Sequence, residues 1–274
     1  MSSPFRLWFS ILIFCAVAMF FVLEEIPDTR LHLYFLDVGQ GDSVFIKTPE
    51  NHQILVDGGD GERLMEELGD VMPFFDRSID MVVVTHPHAD HIGGLVEVLQ
   101  RYEVGMVLMT GVNNQNVLYN QFLDEMITRE IDFIIADQFT DFRFGEVEFD
   151  VLYPVKQMLL EDIENLNNSS IVMKIVAPNL TLLLTGDSEI EVEELLLDRH
   201  VDLSADVLKV GHHGSTTSSS YEFLLEVMPE TAVIQVGKDN SFGHPHEKTL
   251  QNLKALGVEK IHRTDLDGRV ELVF

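Results

Sequence analysis

The chain has 274 residues, enough to bury a sizeable core in one large domain or two small ones, and 46% of it is hydrophobic, which excludes a disordered chain. Forty-six acidic against 18 basic residues give a formal net charge of −28, so the surface repels polyanions and disfavours tight non-specific binding to a phosphate backbone. Cys15 is the only cysteine; an intramolecular disulfide is excluded, and histidines and carboxylates are left as metal ligands beyond it.

The first element in chain order is the apolar run Leu7 to Leu23, LWFSILIFCAVAMFFVL, which follows Arg6 and is closed by Glu24, Glu25 and Asp28. Its length is close to the roughly 20 residues that cross a bilayer, and it shows no polar face of the kind a soluble core helix carries. Ala16-Val17-Ala18 offers a competing signal-peptide reading, but cleavage there leaves Met-Phe-Phe-Val-Leu at the new terminus, so an uncleaved anchor is preferred. Both readings export the remainder of the chain. Arg6 before the span and acids after it put the amino terminus in the cytoplasm and the larger part outside. Residues 1–29 are therefore read as an anchor (or signal peptide) with a short linker, and 30–274, which contain no repeat or composition break, as one domain.

Strand-like runs come in the order LHLYFLDV, DSVFIKT, HQILVDGG, DMVVVTH, VGMVLMT, the stretch Phe142 to Leu152, SSIVMKIVA, TLLLTGD, ADVLKV, TAVIQVG and RVELVF. Helical periodicity marks Gly93 to Arg101, Leu118 to Glu130, Ile190 to Arg199, Ser219 to Val227 and His246 to Leu256. The alternation predicts α/β or α+β layers with strands inside and helices outside. The glycines of GQGD, Gly39 to Asp42, read as hairpin geometry with Asp42 capping the turn and no catalytic role.

Polar clusters fall where strand runs end: Asp57 after ILV, His86 after MVVVT, Asp187 after TLLLTG, and His212-His213 after DVLKVG. Strand ends that converge on one rim are where α/β sheets build sites. In THPHADHIGG the chain leaves a strand and turns, so His86 and His88 point the same way, while Asp90 and His91 face a neighbouring position. Imidazole nitrogens suit zinc, and a second cation beside the first is the arrangement that clamps attacking and leaving oxygens in hydrolysis. Gly93-Gly94 let a helix start close beneath. Asp187 is the best bridging carboxylate; His212 and His213 lie between glycines that permit close approach; Gly243-His244-Pro245-His246 offers a ligand, an oxyanion donor or a proton shuttle, or else a solvated loop.

LVDGG, THPHADHIGG, LLLTGD and VGHHGS, in that order, resemble the metallo-β-lactamase-fold hydrolases. FLDVGQGDSVFI, NNSSIV, VLKVGHHGS and FGHPH resemble the subgroup fused to the DNA-uptake channel competence protein, and the likeness spans about Leu31 to His246. It implies a four-layer αββα sandwich, preceded here by one transmembrane helix, with two divalent cations, zinc or manganese, at one edge of the paired sheets. Carried over, His86 and His88 hold the first metal, Asp90 and His91 the second, and Asp187 bridges. His213 is favoured over His212 as the remaining ligand, with His212 left to substrate or leaving group. Asp57 becomes an outer carboxylate that orients the histidine loop, and Asp90 also orients water or takes its proton; His244 is the further catalytic candidate.

One departure stands out, because many members place a histidine between the second motif and the bridging aspartate, and here none occurs from Asn113 to Asp187. Asn168 or Ser169 occupies that stretch, which implies a weaker or more open first site and allows manganese. The resemblance implies hydrolysis of phosphodiesters by metal-activated water, single-stranded DNA included. One apolar span implies a relative working beside a separate channel protein. Small phosphodiesters such as phosphocholine esters, and a non-catalytic anchored module, are the alternatives; β-lactam hydrolysis ranks below them because the expected histidine is missing.

Overall fold

A computed structural model describes residues 3–24, 28–61, 63–112, 114, 116–155 and 164–274. Helix α1 (Ser3–Glu24) contains a 19-residue apolar stretch of mean hydropathy 2.3, none of it buried among the described residues. The linker residues 25–27 lie outside the described residues.

The first half of the chain then runs β1 (His32–Phe35), β2 (Val44–Lys47), β3 (Gln53–Val56), α2 (Leu64–Val71), β4 (Ser78–Val84), α3 (Ala89–Ile92), α4 (Leu95–Arg101), β5 (Glu103–Met109), α5 (Val117–Thr128) and β6 (Asp132–Ile135). The second half runs β7 (Phe142–Phe144), β8 (Val147–Tyr153), β9 (Val172–Ala177), β10 (Leu180–Leu184), α6 (Ile190–Asp198), β11 (Val207–Lys209), α7 (Tyr221–Val227), β12 (Thr231–Ile234), α8 (Glu247–Ala255), β13 (Lys260–Arg263), α9 (Thr264–Asp267) and β14 (Val270–Val273). Two seven-stranded sheets result, ordered β14-β1-β2-β3-β4-β5-β6 and β13-β12-β11-β10-β9-β8-β7. Each begins as an antiparallel meander and continues as parallel strands joined by helices.

Alternation along the strands decides the layers. Leu33, Phe35, Val44, Ile46 and Val83 of the first sheet pack against Phe149, Met173, Ile175, Leu182 and Val207 of the second, forming a core between the sheets. On the outer face of the first sheet Phe45, Val82 and Val84 meet Leu68, Leu95, Leu99 and Phe122 from α2, α4 and α5. Across the second, Leu183, Leu208 and Ala232 meet Val192, Leu196, Phe223 and Leu253 from α6, α7 and α8. The architecture is the expected four-layer αββα sandwich, each outer layer burying an apolar sheet face that water would otherwise wet.

Two short strands escape the sequence pattern. β6 (DFII) and β13 (KIHR) are four-residue strands without sustained alternation, and β6 is an edge strand exposed along its whole length. The helix expected from Gly93 is instead split: α3 begins at Ala89, so Asp90 and His91 sit inside its turn, and α4 starts after Gly94. A side chain at Gly94 would collide with the Gly58 carbonyl oxygen, so only glycine lets the loop after β3 pack onto this corner.

Candidate metal centre

All four parallel connections that matter end on one rim. Asp57 leaves β3, Thr85 and His86 leave β4, Asp187 follows β10, and His212 and His213 follow β11. The rim is stitched across the sheets: Ile171 N–H donates to the Thr85 carbonyl at 3.0 Å, and Gln235 Nε2 donates to the carbonyls of Leu36 at 3.0 Å and Ser43 at 2.7 Å. Three rim residues are held in left-handed backbone, Asp57 (φ 60°), His212 (φ 46°) and His213 (φ 53°). Each such non-glycine residue costs about 1–3 kcal/mol, which the surrounding hydrogen bonds must offset.

Asp187 is the focus. Its buried carboxylate has Oδ2 at 3.2 Å from His91 Nε2, 3.4 Å from His213 Nε2 and 3.9 Å from His212 Nε2. Asp90 completes the group with Oδ2 at 3.4 Å from His213 Nε2, and its side chain, one-third exposed, forms the open side. Beside them His86 Nε2 and His88 Nδ1 face one another at 3.0 Å. Asp90, His91, Asp187 and His213 thus come together, His86 and His88 pair beside them with the His86 ring centroid 4.1 Å from that of His91, and His212 stands at the margin, its Nδ1 3.0 Å from Thr217 Oγ1 and 3.3 Å from Glu189 Oε1. His244 is farther out, its ring centroid 5.6 Å from that of His212 and 6.3 Å from that of His213.

Asp57 lies behind the histidines. It accepts the Thr85 N–H at 2.8 Å, the Thr85 hydroxyl at 2.6 Å and His91 Nδ1–H at 2.8 Å, which aims His91 Nε2 at Asp187. Asn168 does not reach the histidines: its Oδ1 accepts the Glu189 N–H at 2.9 Å and its Nδ2 donates to Glu191 at 3.3 Å. Ser169 turns back to the Leu166 carbonyl. Ser170 faces the centre instead, its Oγ 3.2 Å from His86 Nδ1 while accepting the Asp187 N–H at 3.0 Å. The 3₁₀ turn Leu166–Ser169 sets this register, a feature that NNSS does not reveal by spacing.

Asp42 also departs from expectation. The turn after β1 is capped by Asp37, whose Oδ1 accepts the Gly39 N–H at 3.3 Å, whereas Asp42 is buried against Lys209. A lone lysine inside the apolar run VLKV was the available signal, since a buried ammonium requires a partner. An apolar groove of about 550 Å³ between α5 and β6, lined by Met109, Leu123, Met126 and Phe133 among others, includes none of these residues.

The electrostatics suit a cation. Burial alone would raise the Asp187 carboxyl, yet His213 and His91 hold it far below the usual carboxylate range; Asp90 is likewise held low against burial, first by His213. Burial opposes protonation of His91 and His213, but Asp187 with Asp57 or Asp42 draws both well above the usual imidazole range. The carboxylates are thus held as anions, with His91 and His213 supplying the positive charge that faces them. Asp187 Oδ1, His91 Nε2 and His213 Nε2 are buried without hydrogen-bond partners among the described residues, an arrangement that is costly without a ligand and matches the donor set of a divalent metal. Asp90, His91, Asp187 and His213 offer ligand atoms all within 4.8 Å of one another.

Residues 36–112 match the model of the metallo-β-lactamase superfamily. The chain carries a metallo-β-lactamase domain. It is 30% identical over 279 residues to ComE operon protein 3 of Bacillus subtilis, covering 94% of this chain and 35% of that protein. With competence protein ComA of Neisseria gonorrhoeae the identity is 30% over 253 residues, 90% of this chain and 33% of the relative. The chain thus spans about a third of the length of these curated relatives. In fold, the metallo-β-lactamase domain is similar to the metallo-β-lactamase fold protein YhfI of Bacillus subtilis, with a TM-score of 0.59 at 12% identity over 88% of this chain and 100% of that one.

Proposed function

We propose that the protein is a two-cation phosphodiesterase, with residues 1–29 as a membrane anchor and 30–274 as a hydrolase outside the cytoplasmic membrane. The observation that carries the reading is the convergence on Asp187 Oδ2 of His91 Nε2 at 3.2 Å and His213 Nε2 at 3.4 Å, next to the facing pair His86 and His88. His86 and His88 would hold one cation, Asp90, His91 and His213 the other, and Asp187 both. Zinc or manganese, when bound, supplies Lewis acidity and lowers the pKa of water toward neutrality.

The residues themselves then divide the work. Asp90, on the open side, stays ionised and orients the attacking water through its carboxylate. His212, fixed through Nδ1 by Thr217 and Glu189, presents Nε2 to a phosphoryl or leaving oxygen. Burial and the neighbouring His213 keep His212 below the usual imidazole range, and they act with His212 and His246 to bring His244 down to about 4, so both rings meet substrate as neutral hydrogen-bonding groups. Asp57 and Ser170 keep His91 and His86 in register.

Likeness to competence proteins supports a DNA-related role and hence single-stranded DNA as a substrate. The net charge of −28 favours short or single-stranded segments and small phosphodiesters such as phosphocholine esters over long duplexes. The test is turnover of bis(p-nitrophenyl) phosphate, a phosphocholine ester and labelled single-stranded DNA by the full chain in detergent with added Mn²⁺ or Zn²⁺. Hydrolysis of a diester but not of a β-lactam is expected; a metal-loaded protein that cleaves none of the diesters refutes the reading and leaves an anchored binding module.

A further inference from the structure

Asp42 and Lys209 form an ion pair buried between the two sheets, with 3% and 2% of their surface exposed. Asp42 comes from the turn between β1 and β2; Lys209 ends β11, two residues after Val207, so it shares that residue's inward face. Neither belongs to the ligand set, and a buried ion pair adds little net stability compared with an apolar pair of the same volume. The pair's contacts indicate a different role. Asp42 Oδ1 stands 3.2 Å from His213 Nδ1, whose N–H donates to the Gln235 carbonyl at 3.0 Å. Lys209 Nζ donates to the Gly186 carbonyl at 3.0 Å and lies 3.9 Å from Asp187 Oδ1. A side chain at Gly41 would collide with the Asp90 carbonyl, and Asp42 N–H donates to that same oxygen at 3.2 Å, so the turn is pressed onto the metal loop.

From this juxtaposition, and resting on the two-cation reading, we infer that Asp42 and Lys209 are positioning residues for the second cation. The Gln235 carbonyl takes the His213 Nδ1–H, the Asp42 carboxylate beside that nitrogen holds the ring by charge with Nε2 toward Asp187 and Asp90, and Lys209 ties down the turn that presents Asp187. The lysine also balances the added carboxylate, so the ligand is made more basic without further net charge at the centre. One salt bridge between the sheets thereby couples the ligand that follows β11 to the bridging residue after β10.

The test is cobalt(II) titration of the full chain in detergent, read by affinity and by the visible ligand-field spectrum, for the parent, D42N and the charge-balanced D42N/K209M. A positioning role predicts cooperative melting of the double variant near the parent's temperature, with cobalt bound about 10–100-fold more weakly and its bands shifted. Parent affinity and spectrum in a folded D42N/K209M or D42N overturn the inference alone. A parent that binds no cobalt overturns the two-cation reading together with it. Loss of fold in both variants assigns the pair to stability and also overturns it.

Discussion

His91 donates through Nδ1 to Asp57 Oδ2 at 2.8 Å, and the opposite edge of the same ring faces Asp187 at 3.2 Å. A carboxylate from β3 thus orients an imidazole from α3 toward a carboxylate from the other sheet. Because Asp57 also accepts two hydrogen bonds from Thr85, it joins the ligand loop to the end of β4. In Asp57→Asn the amide cannot accept all three donors, and cation affinity is expected to fall about 10–100-fold. Equilibrium dialysis against zinc or manganese measures this; unchanged affinity would show that the hydrogen bond to His91 is dispensable.

His88→Ala and Asp187→Ala are expected to abolish both diester hydrolysis and full metal loading while the circular dichroism spectrum is preserved. Asp187 gathers two imidazole edges within 3.4 Å, and a methyl group there leaves His91 Nε2 without its facing carboxylate and His213 Nε2 with Asp90 alone. Elemental analysis alongside the assay is decisive, since retained activity with full metal content in either variant contradicts the assignment.

The loop after the double histidine is held from beneath by Glu193. Its carboxylate, buried in α6, accepts the backbone N–H groups of Ser219 and Ser220 and so fixes the entry to α7. Glu193→Ala leaves two donors unmet and is expected to cost about 1–3 kcal/mol, with the larger loss if water does not enter. Urea denaturation reads the change; a midpoint within error of the parent would mean that the loop carries its own structure.

Phe149 is fully buried between the sheets, its ring stacked on Phe142 at 4.8 Å and edge-on to Phe144 at 5.9 Å. Truncation to alanine removes a large apolar side chain from a core that both sheets share, for a loss of about 3–5 kcal/mol. Unfolding by heat or denaturant should show a lower midpoint in a single transition; two separated transitions would mean that the sheets melt independently.

Removal of residues 1–29 is expected to release the protein from membranes with metal content per chain unchanged, because none of the apolar stretch of α1 is buried among the described residues. The intact chain should resist carbonate extraction and keep its full mass. A product shortened after Ala18 would replace the anchor by a cleaved signal sequence.

Much of the site was legible in the linear sequence because metal-binding chemistry is local where the chain turns sharply. THPHADHIGG places four candidate donors within one strand end and one helical turn, and the apolar run before Asp187 marks it as the end of a buried strand. The layers came from alternation, since the period of two that hides Leu33 and Phe35 exposes their neighbours to the opposite face. Where periodicity was short, as in β6 and β13, no such signal existed. Asn168 and Ser170 differ by only two positions, and which of them faces His86 depends on a 3₁₀ turn that composition does not encode.

By itself, then, the sequence determined the kinds of ligand, their places at strand ends and the layered fold, because these depend on side-chain chemistry and on repeats of a few residues. Only the tertiary structure decided that Asp42 and Lys209 meet between the sheets, that Gln235 takes the Nδ1–H of His213, and that Ser170 rather than Asn168 faces His86. These pairings join residues remote in sequence, and their geometry is set by sheet order and by how two sheets pack face to face, which no local pattern contains.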